Sequence, residues 1–295
     1  PMTLLLSAKI QKKARLLLLC NPNLLIFASI PAANYTPRPL FQTIIPMAIL
    51  EVCCGDFRSV LNAKSAGATR VELCAALSEG GLTPSWGLLR QAMQVSGMAK
   101  HVLIRVREGD FCYSPAEIEI MLADIEQAKQ LGADGVVVGA LLPDGKIDIL
   151  NTQRMIEAAR PMSVTFHRAF DRSDDLLQNL EILIELGVDR VLTSGGGPTA
   201  WEGREMLRQL VYRAAGRIQI LVGAGVTAEN GVSLLHATGA RELHGSLSET
   251  VAGGMKFSRS NVKMGAGEAE NEQTKVASVK KITCWLEEMR KNFGA

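Results

Sequence analysis

Leu50-Glu51-Val52-Cys53 and, 21 residues further along, Val71-Glu72-Leu73-Cys74 decide how this chain folds. Each stretch predicts a buried β-strand with a Glu-x-Cys pair near its C-terminal end. Because side chains alternate along a strand, the Glu and the Cys of each pair share one face. The segment between them, 57–66, has the pattern of one amphipathic helix. Strand, helix and strand predict a βαβ unit with parallel neighbouring strands, so two carboxylates and two thiols converge.

The same alternation of strand and helix continues along the chain. The strand-like runs are Ala48–Cys54, Arg70–Ala75, His101–Val106, Gly135–Ala140, Ser163–Arg168, Arg190–Ser194, Ile218–Gly223 and Glu242–Ser246. Eight such units predict an α/β fold, a single-domain (β/α)8 barrel of the TIM type over residues 47–295. A doubly wound open sheet is the alternative, but eight regular units favour closure. The polar, glycine-containing stretch 247–274 predicts a long loop at the barrel mouth.

Residues 1–46 differ from the rest of the chain. Basic residues such as Lys9 and Arg15 precede apolar runs that Asn21-Pro22-Asn23 interrupts. This order resembles a signal or organellar targeting peptide, and the alternative is upstream sequence attached to a domain that starts at Met47. In either case we expect a disordered or targeting-like extension outside the fold. The apolar runs are too short to cross a bilayer, so no membrane association is predicted.

The composition is that of an ordinary soluble globular protein, with 47% hydrophobic and 21% charged residues. A formal net charge of +2, with 32 basic and 30 acidic residues, gives no basic surface for nucleic acid. Six cysteines in 295 residues do not form the pattern of a disulfide framework. A reducing compartment, and therefore a cytoplasmic location, is the better interpretation.

Many polar side chains fall at the C-terminal ends of the predicted strands, where the chemistry of such barrels takes place. The candidate catalytic residues are Glu51, Glu72, Arg105, Arg107, His167 and His244. Buried charges are costly unless they are paired, so we expect the two glutamates to pair with Arg105 and Arg107. The alternative is that these groups are structural ion pairs and satisfied core histidines.

Glycine-rich turns follow the sixth and seventh predicted strands, with Gly195 and Gly196 in one turn and Gly223 and Gly225 in the other. Each turn leads into a helix N-terminus, where free backbone N–H groups and the helix dipole can hold an anion. Glycine is also common after a barrel strand, and no Walker lysine or GxGxxG motif is present. The four glycines are therefore a candidate anion site, and no organic cofactor is predicted.

Cys53 and Cys74 are the candidate metal ligands. Two thiolates at bonding distance, without a third sulfur, suit a soft monovalent ion such as Cu(I). A structural zinc site would need four ligands, and no CxxC or HxxxH spacing is present. A disulfide stays open as a second interpretation if the geometry allows it. A third is that each Cys is simply a small buried apolar residue, as Cys often is.

Seven motifs follow one another through the predicted barrel. They are Leu50-Glu51-Val52-Cys53, Arg70-Val71-Glu72-Leu73-Cys74, Glu79-Gly80-Gly81-Leu82-Thr83-Pro84-Ser85, Ile104-Arg105, Gly109-Asp110-Phe111, Thr165-Phe166-His167-Arg168-Ala169-Phe170-Asp171 and Leu192-Thr193-Ser194-Gly195-Gly196. In order and spacing they resemble the CutC copper-homeostasis family. The resemblance implies a cytosolic, usually oligomeric TIM-type barrel associated with copper handling. It also implies that Cys53 and Cys74 occupy the positions that the family uses for Cu(I).

We therefore predict a cytoplasmic copper-homeostasis protein that binds the copper ion as Cu(I) through Cys53 and Cys74. We expect a homo-oligomer, either a dimer or a tetramer. Two thiols leave the charged mouth unexplained, so the alternative is a TIM-barrel enzyme of unknown reaction on a small anionic metabolite. In that enzyme, Arg105 and Arg107 would bind the substrate, and Glu72 or His167 would move a proton. A third interpretation is an oligomeric scaffold whose barrel mouth is vestigial.

Overall fold

The computed structural model describes residues 48–257 and 273–293, and eight parallel strands in them close into a barrel. Each strand pairs with the next one in the sequence, and the eighth pairs with the first, where Ile49 is opposite Glu242. The strands are β1 Ile49–Cys54, β2 Arg70–Leu73, β3 Ala99–Leu103, β4 Gly135–Val138, β5 Ser163–Phe166, β6 Arg190–Thr193, β7 Gln219–Val222 and β8 Glu242–Gly245. The predicted (β/α)8 barrel is confirmed, and the open sheet is excluded.

In the described residues, eight α-helices alternate with the strands. They are α1 Phe57–Ser65, α2 Trp86–Met93, α3 Pro115–Gln130, α4 Ile149–Ala159, α5 Leu176–Glu185, α6 Arg204–Ala214, α7 Gly231–Thr238 and α8 Val279–Phe293. The start of α3 is fixed by a capping box, in which Ser114 Oγ accepts the N–H of Glu117 and the Glu117 carboxylate accepts the N–H of Ser114. Within the two described ranges, no helix is both long enough and apolar enough to cross a membrane.

The alternation along the strands separates two apolar layers. Outward-facing residues such as Cys54 pack in the main core, where the helices cover the barrel. A smaller cluster inside the barrel contains Cys53, Cys74, Leu103 and Val137. Cys53 and Cys54 therefore face opposite sides of β1, as the strand period predicts.

The register between β1 and β2 positions the Glu-x-Cys pairs. Glu51 is opposite Arg70, and Cys53 is opposite Glu72. Cys74 follows directly after β2, and its N–H donates to the carbonyl oxygen of Cys54 at 3.1 Å. The two thiols are therefore diagonal to one another, because the residue directly opposite Cys53 is Glu72, two residues before Cys74.

The stretch 247–274 is not a loop throughout, so that prediction is wrong at both ends. Strand β9 Ser248–Ala252 pairs antiparallel with β10 Gln273–Ala277 in a two-stranded ribbon. The ribbon is attached to α1, because Ala277 receives a hydrogen bond from Asn62 at 2.8 Å and donates one to Ser59 at 2.9 Å. The predictions for 258–272 and for the extension 1–46 lie outside the described residues.

Candidate functional site

A cavity of about 480 Å³ lies at the C-terminal end of the barrel. Six of the predicted site residues line it: Cys53, Glu72, Arg105, His167, Gly225 and His244. They come from the ends of strands that are far apart in the sequence, and only closure of the barrel brings them together. The volume is that of a site for a small molecule.

Cys53 lines this cavity, and the fully buried Cys74 lies beside it. The Sγ atoms of Cys53 and Cys74 are 3.3 Å apart, and Cys53 Sγ donates to Glu72 Oε2 at 3.2 Å. The hydrogen bond to Cys74, burial and the charge of Glu72 raise the pKa of Cys53 well above its ordinary value. Without a metal, Cys53 is therefore a protonated thiol at neutral pH. The thiols and Glu72 together offer three donor atoms within 4.8 Å of one another.

Glu51 is buried beneath the thiols and does not pair with Arg105 or Arg107, so that prediction is wrong. Its Oε2 lies 2.6 Å from Arg70 Nε, and its Oε1 lies 2.9 Å from His244 Nδ1. Burial opposes ionisation, but the His244 hydrogen bond and the charge of Arg70 outweigh it and lower the pKa of Glu51. The reason for the different pairing is the register, because Arg70 is the direct cross-strand neighbour of Glu51.

Glu72 does not pair with an arginine either. Its nearest ionisable cation is His244, whose Nε2 lies 3.8 Å from Glu72 Oε2. Burial and the charge of Glu51 raise the pKa of Glu72. Burial lowers the pKa of His244, but the negative charges of Glu72 and Glu51 outweigh it, and the net shift is upward. Nε2 of His244 therefore faces a carboxyl whose proton affinity is increased.

Arg105 is buried in the cavity wall, with 7% of its surface exposed. Its Nη1 donates to the carbonyl oxygens of Glu79 and Gly81 at 2.8 and 3.0 Å. Its Nη2 donates to Gly109 at 3.1 Å. The Nε–H has no acceptor in the part of the chain that the structure describes. Arg105 thus brings a positive charge to the cavity that its hydrogen-bond partners, which are neutral carbonyls, do not neutralise.

Arg107 is a rim residue, and it does not join Arg105 in the cavity. It forms ion pairs with Glu117 at 2.6 Å and Asp110 at 3.0 Å, and its side chain is about one third exposed. The expectation that both arginines share one face rested on a strand through residue 107. Strand β3 ends at Leu103, so the alternation of a strand does not apply to either arginine.

His167 lines the cavity directly after β5 and is 5% exposed. Its Nδ1 accepts the backbone N–H of Ala169 at 3.1 Å. Burial and the nearby charge of Arg105 lower the pKa of His167 to about 3. The neutral ring therefore carries its proton on Nε2, which has no acceptor among the described residues.

The glycine turn after β6 already holds an anion, which is the chain's own Asp171. The Asp171 carboxylate accepts the N–H groups of Ser194 and Gly196, both at 3.1 Å, and forms an ion pair with Arg168 at 2.8 Å. The N–H of Gly195 donates to Thr193 instead. The predicted anion site at Gly195 and Gly196 is thus not open to an external ligand while Asp171 stays in place.

The glycines after β7 have different positions. Gly225 lines the cavity with a φ of +68°, a conformation that favours glycine. Gly223 has no space for a side chain, because a Cβ there would lie 2.6 Å from Leu192 Cδ1. Of the four predicted glycines, Gly225 therefore has the position from which its backbone reaches the cavity.

Two functional positions are absent from the sequence-based candidates. Arg70, which anchors Glu51 and also pairs with Glu242 at 2.5 Å, could have been found by counting two residues back from Glu72 on the same strand face. Asp171 gave no such signal, because its partners lie more than 20 residues away in the next βα turn.

Comparison with known proteins gives one consistent result. A model of the CutC family matches residues 48–249. A Bacteroides fragilis protein described as a CutC family protein is 46% identical over 237 residues, which are 79% of this chain and 94% of that protein. The human protein described as a copper homeostasis protein cutC homolog is 46% identical over 235 residues, 79% of this chain and 86% of that protein.

The same family appears among solved structures. A crystal structure from Streptococcus agalactiae, described as a copper homeostasis protein CutC, matches with a TM-score of 0.66 and 34% sequence identity. The match covers 68% of this chain and 99% of that one. The residues that match the family model include every strand of the barrel and the whole cavity wall. The chain therefore belongs to the CutC family.

Proposed function

We propose that this protein takes part in copper homeostasis by binding Cu(I) between the thiolates of Cys53 and Cys74. The observation that carries the proposal is the 3.3 Å separation of the two Sγ atoms in a buried pair. Thiolate is the ligand type that Cu(I) prefers, and a small outward movement of either side chain makes room for a bridging ion. The description of the human relative as a copper homeostasis protein supports the same role.

The surroundings of the pair suit an ion that is carried as cargo. Cys53 faces the cavity, which gives the ion a route of entry, whereas Cys74 is fully buried. When Cu(I) replaces the two thiol protons, the site of one Cu(I) and two thiolates carries a net charge of −1. Glu72, at 3.2 Å from Cys53 Sγ, accepts a hydrogen bond from that thiol and is the nearest group that can take up its proton.

The test is a competitive Cu(I) titration of the reduced protein, without oxygen, against a chelator of known affinity. We expect one tightly bound Cu(I) per chain, and its loss in Cys53→Ser, in Cys74→Ser and in the double variant. The matched control is Cys54→Ala, which removes a buried thiol from the same strand but on the face that packs against the helices. Unchanged tight binding in the folded double variant would show that the thiol pair is not the copper site.

The cytoplasmic location and the homo-oligomeric state stay predictions. Fractionation of cells that produce the full-length chain tests the first, and light scattering of the purified protein tests the second.

A second candidate function is an enzyme that acts on a small anionic substrate. The observation that favours it is the buried Arg105, whose charge faces the cavity while its hydrogen bonds go to main-chain carbonyl oxygens. The hydrogen bonds of Arg105 involve neither thiol, so the proposed copper site does not account for the position of this cation. Binding of small metabolic anions, measured by the stabilisation of the protein against heat, tests this candidate.

A further inference from the structure

Glu72 is a third donor beside the thiol pair, and a two-sulfur copper site leaves it unused as a ligand. Its Oε2 lies 3.2 Å from Cys53 Sγ, and Cys74 Sγ lies 3.3 Å from the same sulfur. All three residues are buried, and their donor atoms lie within 4.8 Å of one another. A carboxylate oxygen is a hard ligand, whereas Cu(I) selects soft sulfur. Copper alone therefore does not explain why a carboxyl is buried against the pair.

The spacing of the three donor atoms is close to that of a tetrahedral metal site. With zinc–sulfur bonds of about 2.3 Å and zinc–oxygen bonds of about 2.1 Å, two sulfurs lie about 3.8 Å apart, and a sulfur and an oxygen about 3.6 Å apart. The observed separations of 3.3 and 3.2 Å need to increase by only about 0.4–0.5 Å to reach these values. In a linear site with the same bond length, the two sulfurs lie about 4.6 Å apart. The arrangement thus fits a tetrahedral ion better than a linear one.

The charges of the donors favour a divalent ion. When both thiols are deprotonated and Glu72 is ionised, the three donors carry three negative charges. Cu(I) would leave this buried group with a net charge of −2, whereas Zn²⁺ would leave it with −1. Because a buried net charge is costly, the divalent ion suits the complete donor set better.

The cavity offers a place for a further ligand of the ion. Cys53 and Glu72 both line the cavity, so an ion held by them is open to it. The carboxyl of Glu72 also has an outer polar neighbour, because His244 Nε2 lies 3.8 Å from its Oε2. His244 is in turn held by Glu51, whose Oε1 lies 2.9 Å from Nδ1. Ligands of zinc sites are commonly positioned by such outer groups.

We infer that Cys53, Cys74 and Glu72 form a three-ligand site for Zn²⁺, with the fourth position open to the cavity. Three protein ligands and one open position are typical of catalytic zinc sites, whereas structural sites have four protein ligands. The inference goes beyond the proposed copper function, with which it shares the two thiols. A zinc ion at this position binds an oxygen atom of a small molecule and polarises it as a Lewis acid. In the second candidate function, that oxygen belongs to the anionic substrate.

The test is a pair of competitive titrations of the reduced, full-length protein, one with Zn²⁺ and one with Cu(I), each against a chelator of known affinity. We expect the wild type to bind one Zn²⁺ per chain. In Glu72→Gln, we expect zinc binding to weaken more than about 100-fold, because the loss of an outer partner alone already costs up to about that factor. Cu(I) binding of the same variant should change less than about tenfold, since oxygen is a poor ligand for this ion.

Matched variants separate the ligands from their surroundings. Cys54→Ala removes a buried thiol that faces the helices, and Glu242→Gln removes a buried carboxyl of the barrel that lies outside the donor set. Both should retain zinc binding, whereas Cys53→Ser and Cys74→Ser should lose it. Melting curves establish that each variant is folded before its affinities are compared.

Co²⁺ reports the geometry of the site, because it replaces zinc in such sites and absorbs visible light. We expect the wild type with Co²⁺ to show the intense visible bands of a tetrahedral ion together with a thiolate-to-metal charge-transfer band. Azide should shift the visible bands, because it enters the open position from the cavity. The weak bands of a six-coordinate ion, or bands that azide leaves unchanged, would overturn the three-ligand site with an open position.

The failure of the zinc site and the failure of the copper function give different results. Tight binding of Cu(I) without tight binding of Zn²⁺ overturns the inference and leaves the proposed function in place. Tight zinc binding that depends on Glu72, together with weak copper binding, overturns the proposed function and supports the zinc site. If folded Glu72→Gln binds zinc as tightly as the wild type, the carboxyl is not a ligand and the inference is wrong.

Discussion

The Sγ atoms of Cys53 and Cys74 lie 3.3 Å apart although the two residues are not opposite each other in the β1–β2 ladder. Glu72 is the residue opposite Cys53, and its Oε2 accepts the Cys53 thiol at 3.2 Å. The contact between the two thiols therefore depends on the position of the buried Glu72 side chain. It joins the soft donors of the proposed copper site to the acid–base groups of the cavity, so the two proposals concern neighbouring parts of one site.

Removal of the Glu51 charge tests the buried ion-pair network. In Glu51→Gln, His244 loses the charge of its buried partner and Arg70 keeps only Glu242, and we expect the free energy of unfolding to fall by about 3–5 kcal/mol. Urea unfolding measures the change. The matched control is Glu205→Gln, which breaks a solvent-exposed pair with Arg208 and should change the free energy of unfolding far less. Similar losses in the two variants would contradict the assignment of Glu51 as the anchor.

An external carboxylate should rescue the loss of Asp171. In Asp171→Ala, the N–H groups of Ser194 and Gly196 lose their acceptor, and we expect a destabilisation of about 3 kcal/mol. Because acetate can then occupy the vacated position, it should raise the melting temperature of the variant more than that of the wild type. Chloride at the same ionic strength is the control. Equal shifts with acetate and chloride would mean that the vacated turn has no specific place for a carboxylate.

Addition of one methyl group should displace His167. A Cβ at Gly139 would lie 2.5 Å from His167 Cε1, and the imidazole is fixed by its hydrogen bond to Ala169. We therefore expect Gly139→Ala to lose about 1–3 kcal/mol of stability relative to the wild type. Gly254→Ala is the control, because a Cβ there meets nothing within 4 Å. A stability of Gly139→Ala equal to that of the control would be inconsistent with a fixed ring.

The neutral His167 should make the fold sensitive to acid. The unfolded chain takes up a proton on this residue near pH 6.5, whereas the folded protein does so only near pH 3. Between these values the unfolded state binds more protons, so stability decreases as the pH falls. From pH 6.5 to 4 the loss from this residue is about 3 kcal/mol. Urea unfolding across this range should show a flatter profile for His167→Gln, and parallel profiles would refute the assignment.

Much of the fold could be read directly from the sequence. The strand starts of β1, β2, β5, β6 and β8 were predicted within one residue, because each is a short apolar run that begins after a turn signal. The predicted C-terminal ends of the strands were less accurate. The prediction continued β3 through Val106, whereas the strand ends at Leu103. That error placed Arg107 in the site, because a face can be assigned by alternation only while the strand continues.

The sequence by itself determined the closed barrel, the convergence of the two Glu-x-Cys pairs and the family. These follow from patterns of period two and from the order of eight units, which are local or nearly local properties. The sequence also predicted that Cys53, Cys74 and His167 belong to the site, because the C-terminal ends of all the strands meet at one face of a barrel.

Only the tertiary structure decided which charged groups pair with one another. A buried ionisable group pairs with the charged or polar group that lies within contact distance. Which group that is depends on the strand register and on the path of the loops. Thus Glu51 pairs with Arg70 across the ladder, Asp171 fills the glycine turn, and Arg105 is bound by carbonyl oxygens. These pairings leave Arg105 Nε and His167 Nε2 without hydrogen-bond partners among the described residues. No pattern of residue types in the sequence shows this, because it depends on how the closed chain packs.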